Sequence, residues 1–229
     1  EGEIQVGGTA AAPAAPTNAF LGGLGAAIQG NALNLSDGTT LRWLSTNTGV
    51  YNTGLTRGGG DIILDTGNLT PVLFDDANAN WTGDLVINGG TVQIATDNGA
   101  LGDVRGTTTV NNGGRLQFND SRTTGEYISL TEGAALTTLP AASGVLSGPQ
   151  FLQNTTSAGV TYDIPAHTTA GAVGLNISGL MTGSNGFTKT GNGILQISGN
   201  NFTDVIDGFT TANKTPSLSG QIRVTQGLL

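Results

Sequence analysis

The feature that most constrains this chain is a short unit that returns in series. It runs Leu85-Val-Ile-Asn-Gly-Gly-Thr-Val-Gln-Ile94, then Thr107-Thr-Thr-Val-Asn-Asn-Gly-Gly-Arg-Leu-Gln-Phe118, then Tyr127-Ile-Ser-Leu-Thr-Glu-Gly-Ala-Ala-Leu136. Each copy reads as an apolar strand, a turn built on Gly or Asn, and a second strand, with side chains alternating between two sides. Successive copies begin about 20 residues apart, a period that points to solenoids. One such unit cannot bury its own apolar side. Stacking units at the ~4.8 Å strand spacing turns each inward Val, Ile or Leu into part of a continuous ladder. The Asn-Gly-Gly turns also suit hairpins, which would lead to an antiparallel sandwich with Glu3 to Val6 as a donor strand. The serial return of the unit favours the stack.

A longer repeat accompanies the short one. GFTKTGNGILQIS (Gly186 to Ser198), NNFTD and SGQIRVTQGLL in the second half follow the same order as GLTRGGGDIILD (Gly54 to Asp65) and NANWTGDLVINGGTVQIA (Asn78 to Ala95) in the first. This alignment sets Arg57 opposite Lys189, and Trp81-Thr82 opposite Phe202-Thr203. The glycines around Lys189 do not form a phosphate-binding loop, which needs Gly-Lys-Ser/Thr where Asn192 and Gly193 stand. The stretch reads as a turn feeding a strand.

Composition agrees with an all-β chain. Gly numbers 38 in 229 residues and charged residues make up only 10%, so helix formers are scarce while Thr, Asn, Val and Ile abound. A net charge of −8, with the basic residues scattered, argues against nucleic acid, whose binding needs clustered Lys and Arg. Cys is absent, which removes disulfides and thiolate metal sites. No run approaches the ~18 apolar residues of a membrane helix.

Over Gly179 to Asp204, Asn80 to Asp103 and Gly106 to Phe118, the sequence resembles the pattern LTKTGxGxLxLSGxNxYTGxTxVxxGxLxL. This is the autotransporter-associated β-strand repeat of bacterial passenger domains. The resemblance covers about half the chain. It implies a right-handed parallel β-helix, or β-solenoid, on or outside a bacterial cell, serving as spacer, adhesin or filament subunit rather than as an enzyme. Residues 1–16 then form an N-terminal strand with an Ala/Pro linker, and residues 17–229 the solenoid. The segments Gly67 to Ala77 and Val205 to Leu218 interrupt the repeat and are expected to loop out of the coil.

The two ends read as halves of a unit. Glu1 to Gly8 is like a second half and Gln221 to Gly227 like a first. The chain is thus either a piece of a longer solenoid, attached to more of the same, or a subunit whose ends complete those of its neighbours. On the second reading Ile4, Val6, Ile222 and Val224 form the subunit interface. A glycan or host-surface ligand is a further partner of the kind such stalks take.

The residues point to no catalytic, metal or cofactor site. The alternative reading is a carbohydrate-binding or polysaccharide-cleaving β-helix, and lyases of that kind need clustered carboxylates with a basic residue. The nearest cluster, Asp61, Asp65, Asp75 and Asp76, reads as solvated surface. Asp76-Ala-Asn-Ala-Asn80 opens like a calcium loop, but Trp81 and Ile87 stand where Gly and Glu are needed. His167, the lone histidine, has no nucleophile motif beside it. Trp43, Trp81, Tyr51, Tyr127 and Tyr162 are too irregularly spaced for a sugar platform and are expected to cap coil ends or cover apolar edges.

Overall fold

The structure is a computed structural model. It describes residues 3–6, 18–21, 32–43, 51–53, 56–65, 71–74, 78–95, 99–156, 159–198 and 221–229, with side chains excepted at 3–6, 18–21 and 51–53. No helix occurs among these residues, and every strand pair is parallel. The hairpin sandwich is thereby excluded, and the molecule is a β-solenoid.

In chain order the strands are β1 (Glu3–Val6), β2 (Asn18–Leu21), β3 (Ala32–Leu35), β4 (Thr40–Trp43), β5 (Tyr51–Thr53), β6 (Thr56–Gly58), β7 (Asp61–Asp65), β8 (Val72–Phe74), β9 (Leu85–Ile94), β10 (Thr107–Val110) and β11 (Gly114–Phe118). There follow β12 (Thr123–Thr124), β13 (Tyr127–Thr131), β14 (Ala135–Thr138), β15 (Gly144–Leu146), β16 (Gln150–Gln153), β17 (Thr161–Asp163), β18 (Val173–Ile177), β19 (Met181–Gly183), β20 (Phe187–Thr190), β21 (Ile194–Ile197) and β22 (Ile222–Val224). They stack on three faces. The first holds β2, β4, β7, the start of β9, β10, β13, β16 and β19. The second holds β5, β8, the end of β9, β11, β14, β17, β20 and β22. On the third lie β1, β3 and β6, extended by a bridge from Gly58 to Trp81, and farther along β12, β15, β18 and β21.

The three short units occupy the same two faces, one above the next. Leu85 to Ile87 pairs with Thr108 to Val110, and Thr107 to Val110 with Tyr127 to Leu130. Round the corner, Gly90 to Ile94 pairs with Gly114 to Phe118, and Arg115 to Phe118 with Ala135 to Thr138. Gly113 and Gly133 make the turns, at φ of 82° and 80°, where a side chain would be strained. Inward residues form ladders, of which Trp43, Leu64, Ile87, Val110, Leu130 and Leu152 make one. Each such aliphatic side chain contributes roughly 1.5–3 kcal/mol by leaving water, and the ladder makes that burial continuous.

Two expectations are corrected. The segment Gly67 to Ala77 does not loop out entirely: Val72 to Phe74 is β8, paired with Val92 to Ile94, with Val72 and Phe74 buried. Its three-residue length between turn formers hid it. The segment 205–218 lies outside the described residues. The long repeat also does not map face onto face. Arg57 lies on β6 of the third face and is exposed, whereas Lys189 lies on β20 of the second and is fully buried. Two strands and a corner suit any adjacent pair of faces, so sequence likeness does not fix which pair is used.

Candidate functional site

The structure disperses the sequence candidates. Asp61 sits at an outer corner and accepts the Asp84 backbone N–H at 2.9 Å, and Asp84 in turn accepts that of Thr107 at 2.8 Å. Asp65 pairs with Arg42 at 2.7 Å on the half-exposed surface, a contact of the order of 1 kcal/mol or less. Asp75 and Asp76 lie outside the described residues. Among the described residues no group of three or more His, Asp and Glu is placed to hold a metal.

His167 lies near a hydroxyl, with Nε2 3.4 Å from Ser143 Oγ. Its Nδ1 accepts the Thr169 backbone N–H at 2.9 Å. That bond assigns the neutral ring's proton to Nε2, so the ring donates toward Ser143 and cannot take its proton as a general base would. The pair is a surface hydrogen bond.

Trp43, Trp81 and Tyr162 do not cap coil ends. They are buried inside the solenoid, with Phe74 stacked on Trp81 at 6.2 Å. Inward placement explains this: Trp43 is in register with Leu64 and Tyr162 with Leu136, while Trp81 bridges Gly58 of the preceding turn. Tyr127 faces outward and is half-buried. The side chain of Tyr51 lies outside the description.

A polar interior is what the sequence reading missed. On the second face, one inward column runs Val72, Val92, Leu116, Leu136, Tyr162, Lys189 and Val224. Lys189 thus takes a core position. Its Nζ donates to the carbonyls of Thr190 at 2.7 Å, Gly191 at 2.6 Å and Gln226 at 3.1 Å, which fills its three donor positions. Burial lowers its pKa, and the negative charge of Asp163 opposes that. Below it, the Tyr162 hydroxyl donates across the interior to Gln150 Oε1 at 2.9 Å, and Phe187 meets the Tyr162 ring edge-on at 4.6 Å. Burial raises the Tyr162 phenol far above its ordinary value.

Asn78 ties three turns together. Its Oδ1 accepts the Thr56 N–H at 2.7 Å from one side, and its Nδ2 donates to the Ala100 carbonyl at 2.6 Å on the other. Glu132 does similar work at an outer corner. The backbone N–H of Thr155, then the hydroxyls of Thr155 and Thr156, hold its carboxyl below the usual range.

The four residues assigned to a subunit interface stand as follows. Ile4 and Val6 are in register with Leu33 and Leu35 of β3, so β1 pairs with the chain's own solenoid. Ile222 is in register with Phe187 and packs partly against the core. Val224 follows Lys189 in the inward column yet is 42% exposed, and Leu228 and Leu229 near it are exposed as well. A shallow groove lies beside β16 and β19, lined by Phe151, Gln153, Thr182 and Ser184 among others, with no charged side chain. No described helix is long and apolar enough to cross a membrane. No protein-family model, no curated protein and no solved structure matches the chain.

Proposed function

We propose that this chain is a structural, non-enzymatic β-solenoid of the autotransporter-repeat kind, placed outside a bacterial cell or on its surface, and acting as stalk, adhesin or filament subunit. The observation that carries the reading is the parallel stacking of turns on three faces around one apolar interior. Such a stack bears load through backbone ladders and presents hydroxyl and amide side chains to water. The subunits join end to end, with Val224, Leu228 and Leu229 meeting the edge that carries Ile4 and Val6 in a neighbouring copy. Exposed apolar side chains in or beside an inward column suit a further turn, supplied by a neighbouring copy or by more of the same chain. Negative-stain electron microscopy tests both levels. Rods of uniform width are expected, with chains of rods lost when residues 1–12 are deleted. Compact globules reject the stalk, and unchanged assembly after the deletion rejects the end-to-end contact.

The groove at Phe151, Gln153, Thr182 and Ser184 favours a second reading, binding of a neutral glycan. Its aromatic, amide and hydroxyl groups match sugar faces and hydroxyls. A glycan array run with the Phe151→Ala protein separates the two readings. Binding lost with the ring supports the glycan, and no binding leaves the stalk alone.

A further inference from the structure

Glu126 has no part in either reading, and its position is anomalous. The corner that precedes the first face is a column of glycines, in which Gly83 lies against Gly60, Gly106 against Gly83, and Gly179 against Gly148. Glu126 stands in that column between Gly106 and Gly148, at even spacing from the inward residues Ile128 and Leu130. Its side chain turns back over Gly106, with Oε1 3.5 Å from where a β-carbon there would stand. The residue is 2% exposed, and neither carboxyl oxygen has a well-formed hydrogen-bond partner among the described residues. The buried hydroxyl of Thr108 lies close enough to act on the carboxyl but makes no well-formed bond with it. An ionised carboxylate in such a place is uncompensated, and a proton removes the charge.

The surrounding groups favour the proton. Burial pushes the Glu126 carboxyl up to about 9, the Thr108 hydroxyl offsets part of that, and the negative charge of Asp84 adds to it. Asp103 and Arg105 on the preceding corner are joined to each other, at 2.9 Å. The next corner, Ser147 to Pro149, carries no titratable side chain. Neighbouring Tyr127 has its phenol raised by burial.

We propose that Glu126 is a proton-operated latch: held as a neutral acid it lets the turns that carry β10, β13 and β16 close on one another, and giving its proton to solvent loosens the stack at that corner. The direction follows from where the proton resides. The folded chain keeps it up to about pH 9, while the unfolded chain releases it near ~4.3. The latch is fully closed in acid. Stability falls as pH rises between those values, by up to about tenfold in the folding equilibrium per pH unit.

The chain has four glutamates, Glu1, Glu3, Glu126 and Glu132. Carbon-13 labelling of their carboxyls therefore allows each to be titrated by NMR in the intact protein. One resonance, absent from Glu126→Gln, is expected to titrate in the alkaline range while Glu132 titrates below the ordinary carboxylate range. Amide protection in β10 and β13, corrected for base-catalysed exchange, is expected to fall progressively as pH rises toward that alkaline step, to level off above it, and to lose this dependence in Glu126→Gln. A Glu126 carboxyl already ionised at neutral pH overturns the proposal, as does protection that ignores its titration. A resonance that calcium shifts at neutral pH overturns it too, by putting a metal ion in place of the proton. Should Glu126→Gln fail to fold, assignment by Thr108→Val perturbation and the wild-type titration decide alone.

Discussion

The indole N–H of Trp81 reaches the carbonyl of Gly60, one turn away, at 2.7 Å, and it does so beside Gly83, which leaves the space by having no side chain. A β-carbon on Gly83 would overlap the Gly60 carbonyl and stand 2.7 Å from the indole nitrogen. Backbone cannot yield there without parting two turns. Gly83→Ala is therefore expected to cost about 3 kcal/mol in urea unfolding. Gly125→Ala is the control, because its β-carbon meets only side-chain atoms at 3.6 Å, and it should stay within about 0.5 kcal/mol of wild type.

Asn78 serves the turn on each side of it, so its loss strands a donor and an acceptor together. Asn78→Leu keeps the branching of the side chain and removes both bonds. A loss of about 2–3 kcal/mol is expected. Calorimetry checks this, and a variant as stable as wild type would show that the two backbone groups find other partners.

Lys189 fixes the final described segment through the Gln226 carbonyl, while its stem fills the core. Lys189→Met retains most of the stem and leaves three carbonyls without that donor, for an expected cost of about 2–3 kcal/mol. Because the removed bond reaches Gln226, amide protection in β22 should fall more than protection in β14. The lowered pKa has its own sign. The unfolded chain holds the lysine proton more tightly than the folded one, so this group adds stability as pH approaches ~10.4, opposite to Glu126.

Tyr162 has its phenol in the interior, where ionisation would leave a buried charge. The tyrosinate absorbance of the folded protein should therefore show one of the three tyrosines silent in alkali until the chain unfolds. Tyr162→Phe abolishes the silent fraction and leaves Gln150 Oε1 without its donor, at about 1–2 kcal/mol. A spectrum in which all three titrate in the folded protein would contradict the burial.

How far the fold can be read from the residues depends on range. The units at Leu85, Thr107 and Tyr127 are legible because alternation and turn glycines are local, and their copies mark what stacks on what. The burial of Lys189, Tyr162 and Glu126 is set by residues in other turns, so composition gives no warning of it. One local signal was present: Glu126 shares the parity of Ile128 and Leu130, which places it inward. The contrast between Arg57 and Lys189 has the same origin. Equal local sequence can end on different faces when nothing in the unit specifies a corner.

The double grip of Asn78 also bears on how the rod would fail under tension. A solenoid held by bonds between adjacent loops can peel like a zipper, one loop per event. Where a buried side-chain amide grips the loop on either side, detaching one neighbour also breaks a side-chain bond and leaves an unmet polar group inside, so peeling meets added resistance at this position.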